Sequence, residues 1–370
     1  MTLFASHLPD FPWDTLAAVR QRAAAHRDGL IDLSIGTPVD PTPRLAQEAL
    51  AGSANAPGYP PTVGSAELRA AIREWFARRR GATVTAVLPT LGSKEAVALL
   101  PSFLGIGPGE SVVHPAIAYP TYDVGARLAG ASPQPGSADP TTWPATTRLV
   151  WLNSPANPHG HVLSRDELRT AVAAARTRGI VLASDECYAE FTFGQSDPAP
   201  SLLADDVTDG DHTGLLTLYS LSKQSNLAGY RAAFMAGDPH LIDALTQVRK
   251  HCGFMVPAPV ATAMCALLGD ETHVAVQRER YARRRAHLAD ALRTAGYTLD
   301  ERCLAGMYLW VSREGASGRD ILEELADRGI LVAPGDFYGP AGAAHVRVAL
   351  SATDTQIAQA ARRLRAESPH

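Results

Sequence analysis

The segments SVVHPAIAY, RLVWL, IVLAS, LLTLY and AAFMAG are apolar from end to end, and helical patterns separate most of them. Strands buried on both faces read as such continuous runs, and strands alternating with helices make a parallel sheet covered on both sides. The helical patterns between them are well marked. GSAELRAAIREWFARRRG puts Leu68, Ile72 and Trp75 on one face and closes at Gly81. SKEAVALLPSFLG reads as a second helix. SRDELRTAVAAARTRG opens on a capping box, Ser164 with Glu167, carries Leu168, Val172 and Ala175 as its stripe, and stops at Gly179. This α/β pattern sets a large domain over residues 41–268, with a mainly parallel sheet. Beyond it come a long charged helix (ETHVAVQRERYARRRAHLADALRTAG), the strands MYLWVS and HVRVALS, and further helices. That change predicts a smaller α+β domain over 269–370, packed with an N-terminal arm, 1–40, that includes the strand-like IDLSIG. A chain of 370 residues has the length for two domains.

Composition removes several classes of function. Lys plus Arg number 34 against 38 Asp plus Glu, a net charge of −4, which gives no electrostatic footprint for nucleic acid or an anionic membrane. No apolar run approaches the ~20 residues that span a bilayer. MTLFASHLPDFPWD lacks a basic stretch followed by an apolar core, so the expected location is cytoplasmic. Cys187, Cys252, Cys265 and Cys303 have no CxxC spacing and read as thiols, with Cys187 and Cys265 in the core. GIGPGE lacks the spacing of a dinucleotide loop. His159 and His161 have no acid or Cys nearby in sequence and read as loop polarity, not a metal site. Arg283, Arg284 and Arg285 read as a solvated helix face.

Ligands of open α/β sheets bind at the carboxyl ends of the strands, and four ends here are unusual. RLVWL runs into Asn153-Ser-Pro-Ala-Asn157-Pro-His-Gly160. IVLAS ends in Asp185-Glu-Cys-Tyr188. LLTLY ends in Ser220-Leu-Ser222-Lys223, followed by Asn226, Gly229 and Arg231. Upstream, Gly92-Ser93-Lys94 opens a helix, whose free N–H groups and positive dipole end suit a phosphate. One rim thus offers an anion cradle, a carboxylate, a phenol, an amide and a lysine. Pyridoxal phosphate needs all five: donors for its phosphate, a carboxylate for its ring nitrogen, donors for its ring oxygen and an amine for its aldehyde.

Taken in order, these motifs resemble those of fold-type I, class I/II aminotransferases, and Arg347 in HVRVALS matches that family's substrate-carboxylate arginine. The resemblance covers the whole chain and implies pyridoxal 5'-phosphate as cofactor. It implies that Lys223 bonds the cofactor aldehyde and shuttles the proton, that Asp185 faces the ring nitrogen, and that Asn157 and Tyr188 serve the ring oxygen. Gly92, Ser93, Lys94, Ser220 and Arg231 would form the phosphate end, and Gly36 in SIGTPVDP would meet the substrate carboxylate beside Asn157 and Arg347. Tyr119 matches a ring stacked on the cofactor, although a plain core aromatic fits its position as well. Tyr59 in GYPPTVG matches a tyrosine that reaches the phosphate of a neighbouring subunit, implying a homodimer with shared sites. The family loop usually has Thr where His159 stands, which leaves the loop's detail open.

HLPDFPWDTLA, SIGTPVDP, VVHPAIAYPTYDVGARLAG and RKHCGFMVPAPV resemble the actinobacterial N-succinyldiaminopimelate aminotransferases of lysine and cell-wall precursor synthesis. That implies glutamate as amino donor and an acceptor with a distal anionic group, for which Arg20, Lys94, Arg249 and Lys250 are the candidate cations. Aspartate or aromatic aminotransferases and a carbon–sulfur lyase of the same fold are alternatives. A ligand sensor is disfavoured, because no basic helix-turn-helix precedes FPWDTL.

Overall fold

The computed structural model describes residues 8–193 and 198–366; residues 1–7, read above for a leader, lie outside them. After a two-residue strand β1 (Ile31–Asp32), the chain lays down β2 (Ala86–Leu91), β3 (Ser111–Pro115), β4 (Ser132–Gly136), β5 (Thr147–Asn153), β6 (Val181–Asp185), β7 (Leu215–Ser220) and β8 (Ala232–Gly237). β2 to β8 form one sheet in the order β2-β8-β7-β6-β5-β3-β4, parallel except that β8 runs against both its neighbours. β5 shows why these strands lack polar alternation. Val150 and Leu152 pack into one hydrophobic cluster with Leu68, Leu168 and Val172, while Leu149 and Trp151 pack into another with Val97, Leu100 and Leu245. Both faces are covered, so both sets of side chains are apolar.

The expected helices form, with the Ser164–Glu167 box and the two glycine stops where they were expected and a cap at Ser65 besides. Ser65 caps Ala66–Trp75, the Ser164–Glu167 box caps Arg165–Arg178, and Gly81 and Gly179 take left-handed conformations at the C-terminal ends. Two strands of this sheet escaped the sequence reading, β2 and β4, which contain Pro89 and Pro133 with Pro135. They are the two edges of the sheet, where a missing N–H is tolerated.

The C-terminal part adds β9 (Thr298–Leu299), β10 (Tyr308–Ser312), β11 (Ile330–Leu331), β12 (Ala333–Pro334) and β13 (His345–Ala349). The order β12-β13-β10-β9 makes a second sheet, and β1 pairs in parallel with β11, joining the N-terminal segment to the C-terminal part. The charged helix Thr272–Thr294 is present, but its arginines are not one solvated face. Arg283 is exposed beside Glu279. Arg284 is buried and held by Asp40 at 2.7 and 2.9 Å and by Asp354 at 2.6 Å. Arg285 bonds the Cys303 and Tyr308 carbonyls. Among the described residues no helix is long and apolar enough to cross a membrane.

One buried ion pair anchors the end of β6. Glu186 follows Asp185 and accepts from Arg80 at 2.6 Å, the two side chains being 1% and 0% exposed. Glu186 also accepts from the Leu202 N–H at 2.7 Å, and Arg80 donates to the Ala199 carbonyl. Removing one partner of such a pair strands the other charge, at a cost of ~3–5 kcal/mol. Arg80→Ala should therefore lower the thermal unfolding midpoint strongly, whereas Arg283→Ala, at an exposed pair, should leave it nearly unchanged. Equal midpoints for the two variants in a calorimetric scan would refute the anchor.

Candidate active site

Parallel pairing brings the unusual strand ends together. Asn153 and Asp185 are direct register partners at the ends of β5 and β6, and Ser220 ends β7 beside them. They open onto a cavity of about 340 Å³. Gly36, Ser93, Lys94, Tyr119, Asn157, Asp185, Tyr188, Ser220, Lys223, Arg231 and Arg347 all line it. Gly92 caps the helix Ser93–Phe103 at its edge.

Lys223 sits on the short helix Leu221–Gln224, which turns off β7, and its Nζ donates to the Gly36 carbonyl. Burial holds its pKa below the ordinary lysine value, and the positive charges of Arg347 and Arg231 act in the same direction. The amine therefore loses its proton more readily than a solvated one. On the adjacent strand, the Asp185 carboxylate accepts from the Cys187 N–H at 3.1 Å and from the Tyr122 hydroxyl at 2.9 Å. Burial, then the Asp185 charge, pushes the Tyr122 phenol well above its usual pKa, so it stays a donor. Cys187 is buried as expected, but it lines the cavity rather than the core alone.

The anion end is built from a glycine and an arginine. Gly92 has φ +82, and a Cβ there would stand 2.1 Å from Arg231 Nη2. Only glycine lets that guanidinium close over the helix N-terminus, where unpaired N–H groups and the dipole favour an anion. The Ser220 hydroxyl accepts the Ser222 N–H and contacts the Ser222 oxygen at 2.8 Å. Helix end, guanidinium and hydroxyls fit a phosphate, and the carboxylate and amine beyond fit the rest of pyridoxal phosphate.

Arg347 is fully buried. It donates to Asn157 Oδ1 at 2.9 Å and the Ser34 carbonyl at 2.7 Å, while its Nε has no partner. The Tyr308 ring lies 4.0 Å from the guanidinium carbon, and Tyr338 at 5.0 Å. Tyr308 also meets Tyr188, hydroxyl to hydroxyl, at 3.1 Å. With Asn157 Oδ1 taken by Arg347, its Nδ2 is left to donate.

The rim is aromatic. Phe11, Trp13 and Tyr119 line it, with Trp13 5.9 Å from Tyr119 and 5.4 Å from Phe11. Lys94 Nζ lies 5.4 Å from the rings of both Phe11 and Tyr119 and 3.3 Å from the Tyr119 hydroxyl. Of the four candidate cations, Lys94 is the one that lines the cavity. Arg20 pairs with Asp32, Arg249 is buried against Glu95, and Lys250 reaches Gln247. Tyr59 is 94% exposed and does not line the cavity of its own chain. His161 meets an acid that the sequence did not place near it, Asp300 at 2.7 Å, and burial beside His161 pushes the His159 pKa down to about 3. Sequence reasoning missed Tyr122, Tyr308 and Trp13. The spacing of the two tyrosines in YPTY and the strand MYLWVS were the available signals, and neither singles out a partner.

Comparison with known proteins bears on the family of the whole chain. Residues 28–364 match the family Aminotransferase class I and II. A probable aminotransferase of Mycobacterium tuberculosis is 54% identical over 363 residues, covering 97% of this chain and 86% of that protein. A 4-dedimethylamino-4-oxo-anhydrotetracycline transaminase of Streptomyces rimosus is 53% identical over 359 residues, covering 96% and 99%. The structure of a probable N-succinyldiaminopimelate aminotransferase from Thermus thermophilus superposes with a TM-score of 0.85 at 29% identity, covering 96% and 99%.

A methyl group at position 92 tests the anion end. Gly92→Ala should displace Arg231 and remove a hydrogen bond to a charged acceptor, about 1.5–3 kcal/mol. Pyridoxal phosphate should then bind the apoprotein about tenfold or more weakly, read by fluorescence titration, with the circular dichroism of the fold retained. Unchanged affinity would mean that Arg231 does not hold the anion.

Proposed function

The chain belongs to the class I and II aminotransferases, which depend on pyridoxal phosphate, and from that premise we propose that it moves an amino group from glutamate to a 2-oxo acid with a distal anionic group. N-succinyl-2-amino-6-oxopimelate, giving N-succinyl-LL-2,6-diaminopimelate, is the acceptor we favour. The aminotransferase reading rests on the buried, acidified Lys223 amine set one strand from the hydrogen-bonded Asp185 carboxylate. The substrate reading rests on Lys94 at the rim.

Bound pyridoxal phosphate supplies an aldehyde that exchanges amines and a ring that accepts electrons as the α-carbon loses its proton. Lys223 Nζ takes the proton from the substrate α-carbon and returns it at the aldehyde carbon. Asp185 holds a proton on the ring nitrogen through its charge, and Tyr122 fixes that carboxylate. Asn157 Nδ2 and Tyr188 donate to the ring oxygen. Arg347, with its free Nε, orients the α-carboxylate beside Gly36, and so sets which bond at the α-carbon breaks. Lys94 meets the distal anion, and the aromatic rim excludes water around it.

A second acceptor class has its own support. The rim of Phe11, Trp13 and Tyr119 suits a planar ring system, and the Streptomyces rimosus relative is named for an anhydrotetracycline substrate. Amino transfer from glutamate to a panel containing the succinylated oxo acid, oxaloacetate, phenylpyruvate and a polycyclic ketone separates the readings. The succinylated acid should give the highest kcat/KM, and Lys94→Ala should raise its KM about tenfold, the worth of one charge-assisted hydrogen bond. A preference for phenylpyruvate or the ketone would overturn the favoured acceptor. Lys223→Ala should abolish turnover, and Asp185→Asn should slow α-proton removal far more than it weakens substrate binding.

The working unit is a homodimer with sites shared between chains, a reading supported by the exposure of Tyr59 outside its own cavity. Tyr59→Phe and Lys223→Ala proteins, each impaired alone, should recover activity when mixed, because one site of the heterodimer then has both residues intact. No recovery, with subunit exchange seen by mass spectrometry, would mean that Tyr59 does not serve a partner's site.

A further inference from the structure

Tyr308 belongs to none of the motifs and has no part in the steps above, yet its side chain touches three groups that do. It opens β10, opposite Ala349 of β13. Its ring lies against the Arg347 guanidinium at 4.0 Å, and its hydroxyl is 3.1 Å from that of Tyr188. On a third side stands Gly36, where a Cβ would come within 1.9 Å of the Tyr308 oxygen. The carbonyl of that same glycine accepts Lys223 Nζ. Position 36 is thus a glycine because the phenol fills the space a side chain would take.

The two phenols together carry two protons and share one hydrogen bond, so one O–H is left over. Both rings are buried, and among the described residues neither hydroxyl has another partner. A buried O–H without an acceptor is costly, which makes the remaining proton a donor for a ligand in the cavity. Which phenol keeps it follows from the role proposed for Tyr188, whose O–H serves the ring oxygen. Tyr308 faces Arg347, Lys223 and Tyr188. Burial alone would raise its pKa, but the Arg347 charge against its ring holds it below the ordinary phenol value, while burial and Tyr308 push Tyr188 well up. With the Tyr188 proton committed to the ring oxygen on the reading above, the one hydrogen bond between the two hydroxyls is left for Tyr308 to donate, at 3.1 Å, to the Tyr188 oxygen. A hydroxyl that accepts one hydrogen bond donates the next more strongly.

We propose that Tyr308 is a positioning residue acting through Tyr188: its hydroxyl donates to the Tyr188 oxygen and thereby commits the Tyr188 O–H to the ring oxygen of the bound cofactor. The inference rests on the reading of Tyr188 as a ring-oxygen donor. It assigns to the phenol at 308, and to the glycine that makes room for it, a part in setting the acidity of the cofactor centre.

The test is the pH titration of cofactor absorbance in the purified holoenzyme. Losing one supporting hydrogen bond of ordinary strength weakens donation to the ring oxygen, which then holds a shared proton more tightly. The midpoint for Tyr308→Phe should rise by about half a unit or more. Its kcat should fall while KM for the oxo acid stays close to wild type, because the Phe ring still lies under Arg347. Tyr188→Phe should shift the midpoint at least as far, and Tyr308→Phe added to it should shift it no further. A Tyr308→Phe titration that overlays the wild type overturns the inference, as does a Tyr308→Phe shift that persists undiminished in the Tyr188→Phe background. Both results leave the aminotransferase reading standing. That reading fails separately, and takes the inference with it, if Lys223→Ala binds cofactor and turns over like the wild type.

Discussion

A guanidinium buried without a carboxylate is an expensive thing to fold around, and Arg347 is one. Among the described residues no acid pairs with it, and burying an unpaired charge costs several kcal/mol unless other groups take over the role of water. Here the faces of Tyr308 and Tyr338 do so, as aromatic quadrupoles can, together with the Asn157 amide oxygen and the Ser34 carbonyl. These partners come from the N-terminal segment, the loop after β5, and β10 with its neighbours. The charge therefore ties three distant stretches of chain to one point, and among the described residues its Nε is left without an acceptor. On the reading proposed above, a ligand carboxylate would complete the set.

The same logic of charge runs through the rest of the cavity. Lys223 loses its solvent and gains positive neighbours, which favours the neutral amine; Asp185, one strand away, is fixed in place by two donors, the Cys187 N–H and the Tyr122 hydroxyl. A readily deprotonated amine and a hydrogen-bonded carboxylate thus stand on neighbouring elements of the same rim. The parallel sheet is what makes this possible. Its strands end together, and the Arg80–Glu186 pair fixes the turn directly after Asp185.

What the sequence revealed was whatever leaves a local trace. Capping boxes, glycine stops and doubly covered strands act over a few residues, so Ser164, Gly179 and β5 could be read directly. The strand-end residues could be read because their order along the chain carries the resemblance. Edge strands with prolines were invisible, since β4 owes its place to β3 alone. Arg284 looked like its exposed neighbour Arg283 because helix periodicity does not reveal that Asp40, far back in the chain, meets it. Tyr122 with Asp185 and Asn157 with Arg347 are 63 and 190 residues apart, and such pairs exist only once the fold has closed.

The cavity divides into a floor that is tightly determined and a rim that is not. On the floor, glycines are forced by neighbouring side chains, Gly36 by Tyr308 and Gly92 by Arg231, so a change at one position meets another at once. The rim is different. Phe11 and Trp13 come from the N-terminal segment, and Lys94 from the first turn of a helix, where its charge touches only ring faces and a hydroxyl. Substituting those side chains changes what fits against the rim without disturbing the proton-handling groups below. A chain built this way can keep its chemistry while its acceptor changes, and a relative 53% identical to it is named for an anhydrotetracycline substrate. On the reading proposed above, the floor carries the reaction and the few side chains around Lys94 select the acceptor.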